Sequence, residues 1–290
     1  MSADLVINVV VAGLLTGLIY GLMALGLSVI FGVVRLVNFA HGEMMVLAMF
    51  AAVFLFQYFG LDPFLSMLPV AAVFFGLGYA LQSGVVNPFI TRPQHSQFML
   101  LIAVAIILVN GLLMGFGPDA RNVQTDYQLE SFEVGTLLVD AARLYAALAA
   151  LGCALAVFAF FRFTLTGKAI RACADNHLGA RVVGLNVRHL YALSFGLGTA
   201  CVGAAGCMMV LLVDVTPLLG PAYTLMAFII VIVGGMGSMT GAMLGGVLIG
   251  VSEAMAGLFI TPSAKSMFSF ALLILVLLAR PQGLLGKQQA

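Results

Sequence analysis

The sequence predicts an all-α, polytopic membrane protein of eight to ten transmembrane helices with one large cytoplasmic loop. Of its 290 residues, 63% are hydrophobic and only 8% are charged, whereas soluble domains carry about 25% charged residues. Several uncharged stretches reach the ~20 residues that a helix needs to cross a bilayer. The charged residues gather in a few short intervals, which mark the loops. We therefore treat residues 1–290 as a single transmembrane domain.

The hydrophobic stretches predict about nine crossings, with the N-terminus outside and the C-terminus inside. The first stretch carries Asp4, lacks a basic start and is too long for the apolar part of a cleavable signal peptide, so we expect it to remain as a helix. Turns are predicted at residues 60–63, 87–93 and 261–263, where Pro and Gly cluster. The predicted spans are residues 5–34, 44–59, 64–86, 98–116, 145–161, 190–213, two within 215–260, and 266–279.

Two loops of opposite charge flank residues 145–161 and give the orientation. Residues 162–188 contain five of the twelve Lys and Arg residues, opposed by Asp175 alone. Each such cation costs about 2.5–3.5 kcal/mol at the bilayer centre, and basic loops favour the cytoplasm, so this loop is placed inside. Residues 117–139 are acidic and are placed outside. Val, Phe and Tyr between their polar residues predict a small hairpin there.

The basic loop has the pattern of a docking surface. Thr166 is the predicted N-cap of a short helix over residues 167–176, and three charged residues fall on one face of that helix. A second short helix over residues 180–183 is predicted to end at a glycine. A loop that is merely solvated does not need so many Ala and Gly residues, so we expect it to dock a cytoplasmic partner. The residues expected to carry the contact are Gly167, Lys168, Arg171, Ala172, Asp175 and Gly184.

A polar segment at residues 38–43 separates the first two spans. Asn38, His41 and Glu43 are expensive in hydrocarbon, so they should face a cavity, a partner or the interface. Because Arg35 precedes them, we place the segment near the cytoplasmic surface. Two roles stay open at this point. Either Glu43 is structural, paired with Arg35 or placed as an acid in the first helical turn, or the segment lines a transport path.

Glycine predicts both a helix break and close helix contacts. The run over residues 215–252 is uncharged and nearly twice the length of one span, with Gly234, Gly235, Gly237 and Ser238 at its middle. Irregular backbone at membrane depth is tolerated where it is buried or lines a cavity, and a half-helix that starts there can face a substrate carboxylate. Small residues spaced by four, as at positions 13, 17 and 21, 111 and 115, and 246 and 250, predict a dense bundle or a subunit contact.

Four segments together resemble a known family. The stretch TGKAIRACADNHLGARVVGLNV, which starts at Thr166, is similar to the cytoplasmic coupling segment of permease subunits in ABC importers for branched-chain and other hydrophobic amino acids. The stretches VNFAHGEMMVLAMF, GGMGSMTGAMLGGVLIG and RPQGLLG are similar to the early, Gly-rich and C-terminal motifs of that family, in the same order. The form RACADN and the lack of a long N-terminal extension resemble the Liv H-type subunit more than its M-type partner.

The resemblance implies an assembly in the bacterial inner membrane. This chain and an M-type paralogue would form the path, with a coupling helix in the basic loop. Two cytoplasmic ATPase subunits would supply energy, and a periplasmic binding protein would deliver the solute. ATP is expected on those partners, because Gly167, Lys168 and Ala169 lack the upstream glycine and the hydroxyl of a phosphate-binding loop. We expect no metal, cofactor or nucleic acid on this chain.

Three other functions would each need a particular residue pattern. Permeases for urea, short amides or aromatic acids share the same motifs. An ion-coupled secondary transporter needs acids placed inside the membrane, for which only Glu43 and Glu253 are available. An intramembrane enzyme needs a nucleophile with a base, or a metal cluster, and neither pattern occurs. The cysteines at positions 153, 173, 201 and 207 have no metal-site spacing and are expected to be packing residues.

Overall fold

The computed structural model describes residues 3–135, 137–259 and 265–286. This part of the chain contains eleven α-helices and one two-stranded antiparallel sheet. The helices are α1 (Ala3–Val34), α2 (His41–Phe59), α3 (Pro63–Ala80), α4 (Gln94–Phe116), α5 (Ala141–Phe163), α6 (Leu165–Asp175), α7 (His177–Val182), α8 (Val187–Met209), α9 (Gly220–Gly234), α10 (Met239–Phe259) and α11 (Lys265–Ala279). The strands are β1 (Ser131–Val134) and β2 (Leu137–Asp140).

The helices confirm the predicted fold class. In the described residues, eight helical segments are long and apolar enough to cross a membrane, and Met267–Ala279 is a shorter apolar helix. Eight long segments and one short one agree with the predicted range. α3 continues through a π-helical stretch at Leu81–Val86 and a 3₁₀ turn at Asn87–Phe89. The turn predicted at residues 261–263 and the basic residue Lys287 lie outside the described residues.

Glycines bring α1 and α10 into direct backbone contact. A Cβ added at Gly17 would lie 2.7 Å from Val247 Cα and 2.8 Å from Gly246 O, and one added at Gly250 would lie 2.5 Å from Gly17 Cα. Positions 13, 17 and 21 of α1 meet positions 254, 247 and 243 of α10 in reverse order, so the two helices are antiparallel. The predicted dense packing is confirmed here. Added Cβ atoms at Gly111 and Gly115 on α4 would instead meet nothing within 4 Å.

One end of the bundle collects the elements predicted to be extracytoplasmic. The backbone N–H of Leu138 in β2 donates to Asn8 Oδ1 near the start of α1 (2.9 Å). The Tyr127 hydroxyl donates to Asp62 Oδ2 (2.9 Å), which joins the acidic loop to the turn between α2 and α3. Burial and the neighbouring Asp62 carboxylate both raise the pKa of Tyr127. The hairpin predicted in residues 117–139 is confirmed by β1 and β2, whose register pairs Ser131 with Asp140.

The C-terminal tail of the chain covers the C-terminal end of α9. The backbone N–H groups of Leu284 and Leu285 donate to the carbonyls of Val233 (2.9 Å) and Gly234 (3.0 Å). The last carbonyls of a helix have no partner within the helix, so the tail supplies what α9 lacks. The predicted break after residue 234 is confirmed as the connection between α9 and α10.

The glycine contact predicts opposite effects of one substitution at two sites. Gly17→Ala places a methyl group against the backbone of α10 and should destabilise the protein by roughly 1–3 kcal/mol, which is typical of overpacking. Gly111→Ala fills open space on α4 and removes a glycine from a helix interior, so it should stabilise by about 0.5–1 kcal/mol. Thermal unfolding of the detergent-solubilised protein measures both. Equal upward shifts of the two midpoints would contradict the packing described for α1 and α10.

Candidate functional site

The start of α2 lies inside the bundle. The chain leaves α1 at Arg35, whose φ of 55° is left-handed, and residues 35–40 are not helical. His41 Nε2 then lies 2.9 Å from the carbonyl oxygen of Met23. Met23 is eleven residues before Val34, so this contact lies about 16 Å inward from the end of α1 at a rise of ~1.5 Å per residue. Residues 35–40 return the chain inward along α1, so the expectation that the polar segment lies near the cytoplasmic surface is wrong.

Three polar side chains at this point are buried. Asn38 and His41 have no exposed surface, and Glu43 is 4% exposed. Asn38 Oδ1 accepts the backbone N–H of Ala40 at 3.1 Å and so orders the last turn before α2. A backbone carbonyl can only accept, so the contact with Met23 assigns the ring proton to Nε2 of His41 and leaves Nδ1 as an acceptor. The segment is therefore tied to α1 and to its own backbone.

A second contact ties the start of α2 to α9. The backbone N–H of Gly42 donates to Thr224 Oγ1 (2.9 Å), and the Thr224 hydroxyl donates to Glu43 Oε2 (3.0 Å). A Cβ added at Gly42 would collide with the Gly220 carbonyl oxygen, and one added at Gly220 would lie 2.8 Å from Glu43 Cγ. Two glycines thus allow α2 and α9 to approach until Glu43 and Thr224 meet.

Glu43 occupies the first turn of α2 and is not paired with Arg35. The Arg35 side chain is exposed, and within the described residues no Lys or Arg side chain interacts with the Glu43 carboxylate. An acid in the first turn of a helix is favoured by the partial positive charge at that end. The structural alternative that paired Glu43 with Arg35 is therefore wrong, and the first-turn position is confirmed.

An apolar groove of about 390 Å³ opens beside this carboxylate, between α2, α4 and α9. Its polar lining residues are Glu43, Thr224 and Asn110, and the remaining residues are apolar. The Nδ2 of Asn110 donates to Ile106 O of its own helix (2.8 Å). Thr224 was missed because one hydroxyl in an apolar run gives no sequence signal. The apolar lining residues are Phe39, Ile102, Ala105, Ile106, Val109, Pro221, Leu225 and Phe228.

The glycine-rich segment forms a tight turn at the bundle end that carries the tail. Gly235 and Gly237 have φ values of 106° and 80°, and a Cβ at Gly235 would collide with Gly286 of the tail. Ser238 Oγ accepts the backbone N–H of Gly241 (3.1 Å), so it satisfies one free amide at the start of α10. The helix start that lies deep in the bundle belongs to α2, and the one after Gly234 lies at the bundle end.

The basic loop folds into the two short helices α6 and α7. The N-cap of α6 is Thr164, whose Oγ1 accepts the Gly167 N–H (3.0 Å), so the prediction of Thr166 was wrong by two residues. The cap of α7 is Asn176, and Gly184 follows with φ 84°. The helix therefore starts two residues earlier than expected, because the earlier threonine satisfies one of its free amides.

Most of the predicted docking residues are exposed on this loop. They are Lys168, Arg171, Ala172, Asp175 and Gly184. Gly167 differs, because it is buried against the backbone of Phe160 and Phe161 at the end of α5. Cys173 is buried on the same side, and its burial raises the pKa of the thiol despite the nearby Arg181. Gly167 thus sets the position of α6 on α5 and does not reach the surface.

Three aliphatic residues of the basic loop are also exposed, and they were not among the predicted docking residues. Leu178, Val182 and Val183 are 63%, 86% and 75% exposed, next to the charged face. Exposed apolar groups that cluster on a polar loop mark protein contacts. These residues belong to the stretch LGARVV in the sequence. The prediction of a docking surface used the charged and small residues of the loop and did not use these aliphatic ones.

Comparison with known proteins identifies the family. The profile described as branched-chain amino acid transport system / permease component matches residues 9–277. The high-affinity branched-chain amino acid transport system permease protein LivH of Salmonella typhimurium is 30% identical over 96% of this chain and 94% of its own length. LivH of Escherichia coli K12 has the same identity and coverage. BraD of Pseudomonas aeruginosa, a permease protein of the same description, is 28% identical over 96% of this chain and 95% of its own.

The fold has a counterpart among solved structures. PsaBC from Streptococcus pneumoniae in complex with Fab superposes with a TM-score of 0.52 at 15% identity, over 93% of this chain and 91% of that one. This likeness concerns the fold alone. A permease of an ABC importer is a multi-pass membrane subunit, not an enzyme, and it works with ATPase and binding-protein partners. On the match over residues 9–277, this chain belongs to the permease family of branched-chain amino acid transport systems.

Proposed function

We propose that this chain is the Liv H-type permease subunit of an ABC importer for branched-chain or other hydrophobic amino acids. It acts in the bacterial inner membrane beside an M-type paralogue. Two cytoplasmic ATPase subunits bind ATP, and a periplasmic binding protein delivers the solute. The names of the relatives support the substrate class. The structural observation that carries the proposal is the apolar groove beside Glu43, because an importer for apolar amino acids needs an apolar space with few polar groups.

The path runs past the start of α2. Asn38 and His41 hold this helix start in place, and Glu43 faces the groove. The turn of Gly234, Gly235, Gly237 and Ser238 is proposed as the cytoplasmic end of the path, where the C-terminal tail covers it. Irregular backbone of this kind is tolerated because it lies against protein.

The coupling surface comprises the exposed face of α6 and α7. Lys168, Arg171 and Asp175 supply the charges, and Ala172 and Gly184 leave room for close approach. The aliphatic residues of α7 supply the apolar contact that charges alone lack, since buried apolar anchors carry most interface energy. Gly167 is a positioning residue, because its backbone contact with α5 lets a movement of α6 act on a membrane-spanning helix.

Permeases for other solutes and ion-coupled secondary transporters would need other side chains in the membrane. Permeases for urea, short amides or aromatic acids need polar or cationic walls. The described groove has eight apolar lining residues and one acid. A secondary transporter needs coupled intramembrane acids. Glu43 and Glu253 are bound by different side chains, Thr224 on α9 and Ser269 on α11, and do not form one relay.

Transport in proteoliposomes tests the proposal directly. Liposomes that hold both permeases and both ATPases, with the binding protein added outside, should accumulate leucine only when ATP is supplied to the ATPase side. The accumulation should persist when ionophores collapse ion gradients, since ATP and not an ion supplies the energy. Accumulation that needs an ion gradient and ignores ATP would contradict the proposal and favour a secondary transporter.

A charge reversal on α6 should separate hydrolysis from transport. Arg171→Glu reverses an exposed cation on the docking face, so leucine uptake should fall at least tenfold while ATP is still hydrolysed. Arg188→Glu is the matched control, because it changes the loop charge equally but lies just inside α8. Paired assays of ATP hydrolysis and uptake measure the coupling ratio. Equal ratios in both variants would show that Arg171 only sets topology.

A further inference from the structure

We infer that Glu43 binds the ammonium group of the transported solute, so that the path itself selects amine-bearing apolar molecules over neutral amides and anionic acids. This inference rests on the proposed function and assigns the substrate chemistry of the same site. The three features that carry it are the charge, the free binding capacity and the surroundings of one carboxylate.

Glu43 supplies the only formal charge among the residues that line the groove. The other ten lining residues are eight apolar ones and the neutral Thr224 and Asn110. The described residues offer this carboxylate no Lys or Arg partner. A charge in surroundings of low polarity is costly unless an opposite charge pairs with it. A cationic group of the solute fits this need, whereas a second anion in the groove would be repelled.

The carboxylate retains room to bind an ammonium group. A carboxylate offers about four lone-pair sites on its two oxygens. The Thr224 hydroxyl donates to Oε2 from across the α2–α9 contact, and the backbone N–H of Glu43 also donates to the carboxylate, so two sites remain. The position in the first turn of α2 favours the anionic form, whereas burial opposes it, so a cationic partner would stabilise the charge. Gly220 keeps this geometry, because any side chain at that position would press on Glu43 Cγ.

The rest of the groove fits an aliphatic amino acid. A volume of about 390 Å³ lies near the lower end of the ~300–1,000 Å³ found for small-molecule sites. Phe39, Ile106, Leu225 and Phe228 offer an apolar surface for the side chain. Asn110 uses an amide hydrogen on Ile106 O, and its second amide hydrogen is the donor available for the solute carboxylate. One acid, one amide and apolar walls thus match a zwitterion with an apolar side chain.

Ligand-dependent thermal stabilisation of the full complex, without the binding protein, tests this assignment. The complex of both permeases and both ATPases is melted in detergent with each of three probes at equal concentration. Leucine carries both charges, leucinamide keeps the amine, and 4-methyl-2-oxopentanoate keeps the carboxylate. A ligand that binds the folded state raises its midpoint. We expect leucine and leucinamide to stabilise the wild-type complex, and the oxo acid to bind at least tenfold more weakly than leucine.

Three variants sharpen the result. Glu43→Gln keeps the shape and removes the charge, so the affinity for leucine and leucinamide should fall at least tenfold. Glu253→Gln is the matched control, since it makes the same change at a buried acid outside the groove and should keep the wild-type affinities. Glu43→Asp keeps the charge and should retain part of the affinity. If Glu43→Gln does not fold, the assignment is still tested by comparing how strongly the wild type and Glu43→Asp bind leucine, leucinamide and the oxo acid.

Each outcome has a defined meaning. Equal stabilisation of the wild type by leucinamide and the oxo acid, no stabilisation by any probe, or unchanged leucine affinity in Glu43→Gln would each overturn the assignment. ATP-dependent leucine uptake by the wild-type complex is measured after the same preparation has been reconstituted into liposomes. If uptake is normal while Glu43→Gln binds leucine as well as the wild type, only the role of Glu43 fails. If the wild type takes up no leucine with ATP, the proposed function itself fails.

Discussion

Close contact between glycine-bearing backbones is the constraint on which the rest of this structure depends. Lipid tails are as apolar as the side chains of the helices, so helices in a membrane gain little from apolar burial and rely on packing and hydrogen bonds. Gly17 and Gly250 join α1 to α10, and Gly42 and Gly220 join α2 to α9. The second contact brings Glu43 within hydrogen-bond distance of Thr224. The site therefore exists because two positions carry no side chain.

The interior start of α2 follows from the need to satisfy its backbone. The first N–H groups of any helix lack partners within the helix, and inside a membrane water does not supply them. Thr224 accepts from Gly42, and Asn38 accepts from Ala40 just before the helix. His41 adds a bond to Met23 on α1. These contacts make the non-helical residues 35–40 tolerable at depth, and they place a carboxylate where the groove begins.

The sequence predicts the spans and the hairpin because each depends on composition over many residues. The prediction from sequence is wrong where a single contact determines the position of an element. The N-cap of α6 is Thr164 and not the predicted Thr166, and this cap places Gly167 against Phe160. The depth of residues 38–43 was misjudged because Arg35 marks the end of α1 but does not reveal that the chain turns back. Thr224 and the groove arise from residues about 180 positions apart, which no local pattern records.

Contacts of the same kind connect the basic loop to the helices of the bundle. Gly167 lets α6 lie directly on the end of α5, and α6 also packs against α1 and α8. α1 in turn holds the start of α2 through Met23 and His41. A force applied to α6 therefore acts on long, closely packed helices and not on a loose loop. Helices α1 and α8 thus link the exposed loop helix α6 to α2, the helix that carries Glu43.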